Sequence, residues 1–297
     1  MAKPMSINTR NSLKALAFLT PNLIGFLVFM FFPIFIGLGM GFFRWDGINT
    51  PEFIGLRNFT NLIRDSVFRN SVRVTIQYMV ITVPTTIVLS MLFAVLLTSK
   101  IKFTSFFRAV LFFPFIASIV AVAIVWQFLY SPDRGPINMF LMQIGMQNPP
   151  RWLADSSSAI YAVAIMNIWR LAGYYMVLFI AGIQGISYTF YEAAIIDGAN
   201  SWQKFWHITR PLLRPTTFFV VVISVINSFQ VFTPVFIMTG GGPGRATQVM
   251  VHRIYEEAFI SSRFGSASAM AFVLFLAVLT FTLIQFKTQE KHVTYMS

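Results

Sequence analysis

The sequence predicts an all-α polytopic membrane protein with six transmembrane helices, and three observations predict it. Hydrophobic residues fill 56% of the 297 positions and charged residues only 11%, whereas soluble domains carry about a quarter charged residues. Six apolar runs reach the roughly 20 residues that a membrane-spanning helix needs: 16–43, 72–98, 107–130, 159–182, 216–239 and 265–286. Six Trp, nine Tyr and thirty-four Phe suit a lipid-facing body with aromatic belts.

The elements follow in chain order. Lys3, Arg10 and Lys14 precede the first run, as in a signal peptide. That run exceeds the 7–15 residues of a signal h-region, so a retained helix is expected. The outer loop 44–71 spaces Phe59, Leu62, Ile63 and Val67 by three to four residues. This pattern fits a helix at the interface, resting on the bundle or meeting a partner. "SPDRGPIN" and "NPPRW" in loop 131–158 are turn signals. Loop 240–264 begins "GGGPGRATQ", where glycines supply positive φ for a helix terminus and a flexible connection. Prolines 84, 114 and 234 fall inside spans and kink them, for packing or for a gate.

Orientation follows charge. With the N-terminus inside, inner and outer segments each hold eleven Lys plus Arg, so the raw count decides nothing. All seven lysines (Lys3, Lys14, Lys100, Lys102, Lys204, Lys287 and Lys291) lie inside, however, and inner acids number three against seven outside. Both termini are therefore expected in the cytoplasm. The formal charge of +12 is spread over short loops rather than gathered in a patch. It points to anionic lipids and not to nucleic acid.

Catalytic signatures are missing from the sequence. There is no Cys, hence no disulfide and no thiolate ligand. His207, His252 and His292 lack metal-binding spacing, and no G-x-S-x-G elbow occurs. Glu256 and Glu257 are adjacent and point to different sides of a helix. The glycine run lacks the Lys of a phosphate-binding loop. Neither a catalytic residue nor a metal site is expected, and the chain reads as a non-enzyme.

Polar residues inside spans are costly and are functional candidates by default. "MNIWRLAGYYM" places Asn167, Arg170 and Tyr174 on one face of the fourth span, and "SVINSFQVFTP" places Asn227 and Gln230 three apart in the fifth. These groups suit hydroxyls of a sugar, with Trp169 or Phe229 stacking on a ring. Helix-to-helix hydrogen bonding explains the same residues. Arg170 is free to snorkel or to pair with an acid.

The inner loop 188–213 is long for a connection. It reads as two short helices, Tyr188 to Asp197 and Ser201 to Thr209, broken at Gly198 and ended before Pro211. In the first, Glu192, Ile195, Ile196 and Ala199 share a side, while Ala193 and Ala194 allow close approach of another surface. In the second, Trp202, Phe205 and Trp206 form an aromatic ridge near Lys204 and Arg210.

"EAAIIDGA" followed by "FWHITRPLLRP" resembles the EAA loop of permease subunits of bacterial ABC-type importers. Glu192, Ala193, Ala194, Asp197, Gly198, Ala199, Phe205, Ile208, Pro211 and Pro215 all fall into place. "FIGLRNF", "VWQFLYSPDRGPIN" and "TGGGPGRATQVMVHRIYEEAF" are similar to the carbohydrate branch that includes maltose and glycerol-3-phosphate permeases. The resemblance implies the type I ABC importer transmembrane fold in a bacterial cytoplasmic membrane. It implies an N-terminal segment 1–71, a core 72–287 with coupling loop 188–213, and a cytoplasmic tail 288–297. It further implies a second permease subunit of different sequence, two cytoplasmic ATPase subunits that bind ATP and Mg, an extracellular solute-binding protein and a sugar substrate. This chain itself is expected to bind no cofactor. The loop would couple transport to the ATPase, with Glu192 paired to a basic residue there and Gly198 forming the bend. The alternative reading is a self-contained ion-coupled transporter or channel, which usually needs intramembrane acids or a broken-helix repeat.

Overall fold

The structure, a computed structural model, describes residues 7–99 and 102–290. Lys3, Lys100, Lys291 and His292, and most of the tail 288–297, lie outside the described residues. Helix α1 (Ile7–Phe26) passes through a π-helical turn (Leu27–Phe31) into α2 (Phe32–Gly39). No residue from Lys14 to Gly37 is buried; its exposed Phe and Leu side chains are those of a helix made for lipid or another chain. The strands β1 (Phe43–Arg44) and β2 (Glu52–Phe53) pair antiparallel, with Arg44 opposite Glu52.

Helix α3 (Arg57–Arg64) is followed directly by α4 (Ser66–Thr98). The Asp65 carboxylate caps α4 by accepting from the Val67 N–H at 2.8 Å, so the second span starts at 66 rather than 72. This overturns the shared face predicted for the outer loop: Leu62 is buried, Ile63 is 73% exposed, and Val67 belongs to the next helix. Along α4 a stripe of Ser71, Thr75, Thr82, Thr86 and Ser90 is buried. The hydroxyls of Ser71, Thr75, Thr82 and Ser90 are satisfied locally, as where Thr82 donates to the Tyr78 carbonyl at 2.7 Å, so small residues bring α4 close to its neighbour with most of their polar groups paired.

The third apolar run is not one helix. It forms α5 (Thr104–Ile116) and α6 (Ile119–Leu129), bent by 97°. In α7 (Pro136–Gln143), buried Asn138 donates to the carbonyls of Pro132 and Pro150 and accepts from the Trp152 indole, tying the loop together. Helix α8 (Ala159–Gln184) is the most enclosed span. A Cβ on Gly173 would sit 1.8 Å from the Leu111 carbonyl oxygen, so α5 and α8 touch backbone to backbone.

Helices α9 (Tyr188–Ile196) and α10 (Ser201–Lys204) follow, then a π-helical turn (Phe205–Thr209), α11 (Arg210–Leu212) and α12 (Arg214–Phe229). The second helical segment thus runs past Pro211 to Leu212. The wider π turn just before the proline accommodates its ring and missing N–H, so the expected stop does not occur. The fifth apolar run breaks after Phe229, and Pro234 sits in the first turn of α13 (Thr233–Met238), starting a helix instead of kinking one.

Gly240, Gly241 and Gly244 have φ of +56°, +85° and +54°. The loop they form is held by the Thr247 hydroxyl, 2.8 Å from the Gly242 carbonyl and 2.7 Å from Thr239 Oγ1; it is hydrogen-bonded rather than the flexible connection expected. Helix α14 (Met250–Tyr255), a π turn (Glu256–Ile260) and α15 (Phe264–Glu290) complete the described chain. Among the described residues four helices are long and apolar enough to cross a membrane, and up to six spans result if each bent pair counts as one. The chain divides into two compact units, 1–64 with 254–273, and 65–253 with 274–297.

Candidate functional site

Asn167, Arg170, Tyr174, Asn227 and Gln230, five residues singled out in the sequence, line one cavity of about 340 Å³ in the larger unit. Helix α8 supplies the first three because steps of three and four keep them on one side. Its Gly173 faces α5, and its Gly182 faces Leu213 and Thr216 at the start of α12. The end of α12 supplies Asn227 and Gln230, and the break that follows contributes Val231, Phe232, Thr233 and Pro234. Phe115 and Ile119 flank the other break, between α5 and α6. The cavity therefore sits where two apolar runs lose helical continuity. Irregular backbone at membrane depth is tolerated only when buried in protein or lining a cavity.

The polar groups are incompletely satisfied by the protein. The Asn167 amide donates to the Tyr78 hydroxyl at 2.6 Å, yet its Oδ1 is buried without a partner, as is Arg170 Nε. Asn227 donates to the Tyr175 hydroxyl at 3.2 Å. A buried group without a partner costs about 1–3 kcal/mol, and such groups persist where a ligand completes them. Arg170 neither snorkels nor pairs with an acid among the described residues. Its guanidinium carbon lies 5.6 Å from the Phe115 ring centroid, and Phe115 stacks on Tyr174 at 4.3 Å and 18°. An acceptor, a cation and stacked rings around about 340 Å³ fit a small polyhydroxylated solute.

The rings proposed for stacking are elsewhere. Trp169 packs on Trp126 at 5.4 Å, and Phe229 is buried against Phe281 at 5.5 Å. Phe115 and Phe232 line the cavity instead. Pro114 stands beside Phe115 and Pro234 two residues after Phe232; the two prolines mark the breaks around which the cavity forms, but nothing in either Phe itself says which way it faces.

In loop 188–213, α9 stops at Ile196 because Gly198 adopts φ +73°. The Ala199 N–H bonds the Ala194 carbonyl at 2.8 Å, and the Gly198 N–H bonds that of Ile195 at 3.0 Å. This is a Schellman cap, which requires the left-handed residue that glycine provides. Ala199 therefore leaves the predicted face, lying half-buried beyond the helix end, whereas Glu192, Ala193, Ile195, Ile196 and Asp197 are exposed and Ala194 is half-buried. Asn200 and Gln203 form a capping box at the start of α10. The Tyr191 hydroxyl lies 2.9 Å from Thr209 Oγ1 and joins the two arms. Trp202, Phe205 and Trp206 form the aromatic ridge, with rings 5.5–6.4 Å apart. The result is a capped and cross-linked projection with two carboxylates, small side chains and apolar residues on its surface.

Comparison with known proteins agrees with this architecture. Residues 60–291 match the family model described as "Binding-protein-dependent transport system inner membrane component". The probable ABC transporter permease protein YurN of Bacillus subtilis (strain 168) is 36% identical over 282 residues, which cover 94% of this chain and 96% of YurN. The sn-glycerol-3-phosphate transport system permease protein UgpA of Agrobacterium fabrum is 31% identical, covering 93% of this chain and 94% of UgpA. The crystal structure of a bacterial ABC transporter involved in the import of the acidic polysaccharide alginate contains a chain that superposes with a TM-score of 0.85. That match covers 97% of this chain and 98% of that one at 24% identity, and it establishes the shared fold. With most of its length matched at this level, the chain belongs to the binding-protein-dependent transport system inner membrane components, the permease subunits of ABC transporters.

Proposed function

We propose that this permease subunit forms the path for a sugar or sugar-like solute and couples its import to a cytoplasmic ATPase through loop 188–213. Membership of the family makes the chain a multi-pass inner-membrane component and not an enzyme, and it displaces the self-contained ion-coupled transporter. The observation that carries the substrate reading is the convergence of Asn167, Arg170, Tyr174, Asn227 and Gln230 on one cavity with unsatisfied amide and guanidinium groups. UgpA and the alginate transporter handle a glycerol phosphate and an acidic polysaccharide, which is in keeping with hydroxyl-binding amides beside a cation.

In this reading both termini are cytoplasmic. The exposed residues Glu192, Ala193 and Asp197 and the half-buried Ala194 and Ala199 dock in a cleft of the ATPase, with the Gly198 bend aiming them. Glu192 makes a charge-assisted contact with a basic residue there. Two ATPase subunits bind ATP and Mg, a second permease of different sequence completes the path, and an extracellular binding protein delivers the solute. Alternating access then needs two states close in free energy, biased by ATP and by the loaded binding protein.

The test is in-membrane cross-linking from a probe at Ala193, followed by mass spectrometry. Recovery of a cytoplasmic ATPase together with a second permease is expected. Recovery of this chain alone, with an intact cross-linking control, would overturn the docking role.

A further inference from the structure

A second, smaller cavity of about 250 Å³ is lined by Met91, Trp206, Arg210, Pro211, Arg214 and Thr217. Trp206 and Arg210 sit one turn apart before the break at Leu213, where the helix axis bends by 66°, and Arg214 and Thr217 lie at the start of α12 after it, so the two sides of the bend build most of the cavity. The Arg210 guanidinium carbon lies 4.4 Å above the Trp206 ring centroid. Stacking of this kind fixes the plane of the fork and leaves its edge donors free. Neither Arg210 nor Arg214 forms an ion pair among the described residues, and no acid lines the cavity. The neighbouring cavity of about 590 Å³ is lined by Arg108 and Lys204, again without an acid. Cations are thus concentrated at this end of the larger unit; the acids of the same loop, Glu192 and Asp197, line neither of these two cavities, and Asp197 shares a separate one with Lys204.

The location decides which anion. Arg214 begins α12, whose next turns read Phe218, Phe219, Val220, Val221 and Val222, and Phe219 is 55% exposed. At 1.5 Å per residue Arg214 stands about one turn outside the apolar run, the level of lipid headgroups, where Trp is also favoured, and Arg210 precedes it across the bend. We infer that Arg210 and Arg214, with the Thr217 hydroxyl and the Trp206 ring, form a binding site for the phosphodiester of an anionic phospholipid. Two forks suit the phosphate oxygens, the hydroxyl adds a donor, and Met91 and the indole meet the glycerol and upper acyl carbons. Because Trp206 and Arg210 belong to the second arm of loop 188–213 and Arg214 to the start of α12, a bound lipid anchors the base of loop 188–213 to the membrane surface.

Native mass spectrometry of the full chain, released from detergent with defined lipids, tests the site. The wild-type protein should retain one more phosphatidylglycerol than Arg210→Gln/Arg214→Gln, with affinity falling about tenfold or more on loss of the charge-assisted contacts. Phosphatidylcholine retention should be equal in both. Trp206→Phe, which keeps a ring and both forks, should weaken retention by a smaller factor and serves if the double variant unfolds. Equal phosphatidylglycerol retention in the wild type and a folded variant would overturn the site. A difference seen with inorganic phosphate but not with phosphatidylglycerol would overturn the lipid in favour of a soluble phosphate ion.

Discussion

Asn227 and Asn167 reach the cavity with their amides already engaged on one side, each donating to a tyrosine hydroxyl. Asn227→Ala removes one of these bonds and a solute contact. At about 1 kcal/mol per hydrogen bond, uptake should show about a fivefold higher half-saturation concentration with assembly unchanged; unchanged affinity would return Asn227 to helix packing. Outside the membrane, the Asp46 carboxylate accepts from the N–H groups of Ile48 and Asn49 and from the Asn49 amide. The backbone bond to Asn49 leads in holding its pKa below the usual carboxylate value. A depressed folded pKa stabilises the turn above the unfolded value and loses that contribution as pH falls through the folded one. Trp45, whose indole donates to the Asn49 carbonyl at 2.8 Å, should therefore change fluorescence below about pH 4. The change should be absent in Asp46→Asn. At this scale the cavity residues were legible because amides and a guanidinium are conspicuous among apolar neighbours. Phe115 and Phe232 were not, since one Phe among thirty-four carries no mark of where it faces.

Helices were legible in proportion to how far local chemistry decided them. Gly198 announces the end of α9 by conformational preference, and the break holds in the structure; the Asn200 cap of α10 is seen only in the structure. The breaks after Ile116 and Phe229 are different. The sequence stays apolar across both, so hydropathy runs on while the backbone turns by 97° at the first; tertiary packing around the cavity decides it. Contact between helices is equally invisible in one dimension. Gly173→Ala would drive a Cβ into the Leu111 carbonyl, a backbone collision that no side-chain rotamer relieves. We expect a loss of about 2 kcal/mol or more, read as a fall of several degrees in thermal unfolding in detergent, with uptake impaired because Phe115 and Tyr174 lie on the two helices forced apart. Gly198→Ala makes a useful contrast. Nothing lies within 4 Å of its added Cβ, so the cost is that of left-handed backbone alone, about 1–2 kcal/mol, borne by the loop and not by the bundle.

At the scale of the larger unit, loop 188–213 is strung between the two helices that carry most of the cavity's polar groups. Helix α8 runs from Asn167, Arg170 and Tyr174 to Gln184, just before α9; α12 starts at Arg214, just after α11, and ends at the cavity with Asn227 and Gln230 beyond it. Ten residues separate Tyr174 from Gln184 and thirteen separate Arg214 from Asn227, which at 1.5 Å each is about 15 and 20 Å of continuous helix. In the proposed coupling, a push on the projection would reach the cavity through these two helices. The Schellman turn and the Tyr191–Thr209 contact would keep the projection from absorbing the push itself. Gly198→Pro should disable this transmission, because proline cannot reach φ +73°. Glu192→Lys should disable docking by reversing the charge while leaving the turn intact. Both variants should insert and bind solute with wild-type affinity, and both should lose uptake by at least tenfold, with ATP hydrolysis no longer stimulated by the loaded binding protein. Asn227→Ala should show the opposite pattern, weaker solute binding with stimulation retained. Normal uptake in both loop variants would separate the projection from the cavity and end the lever account.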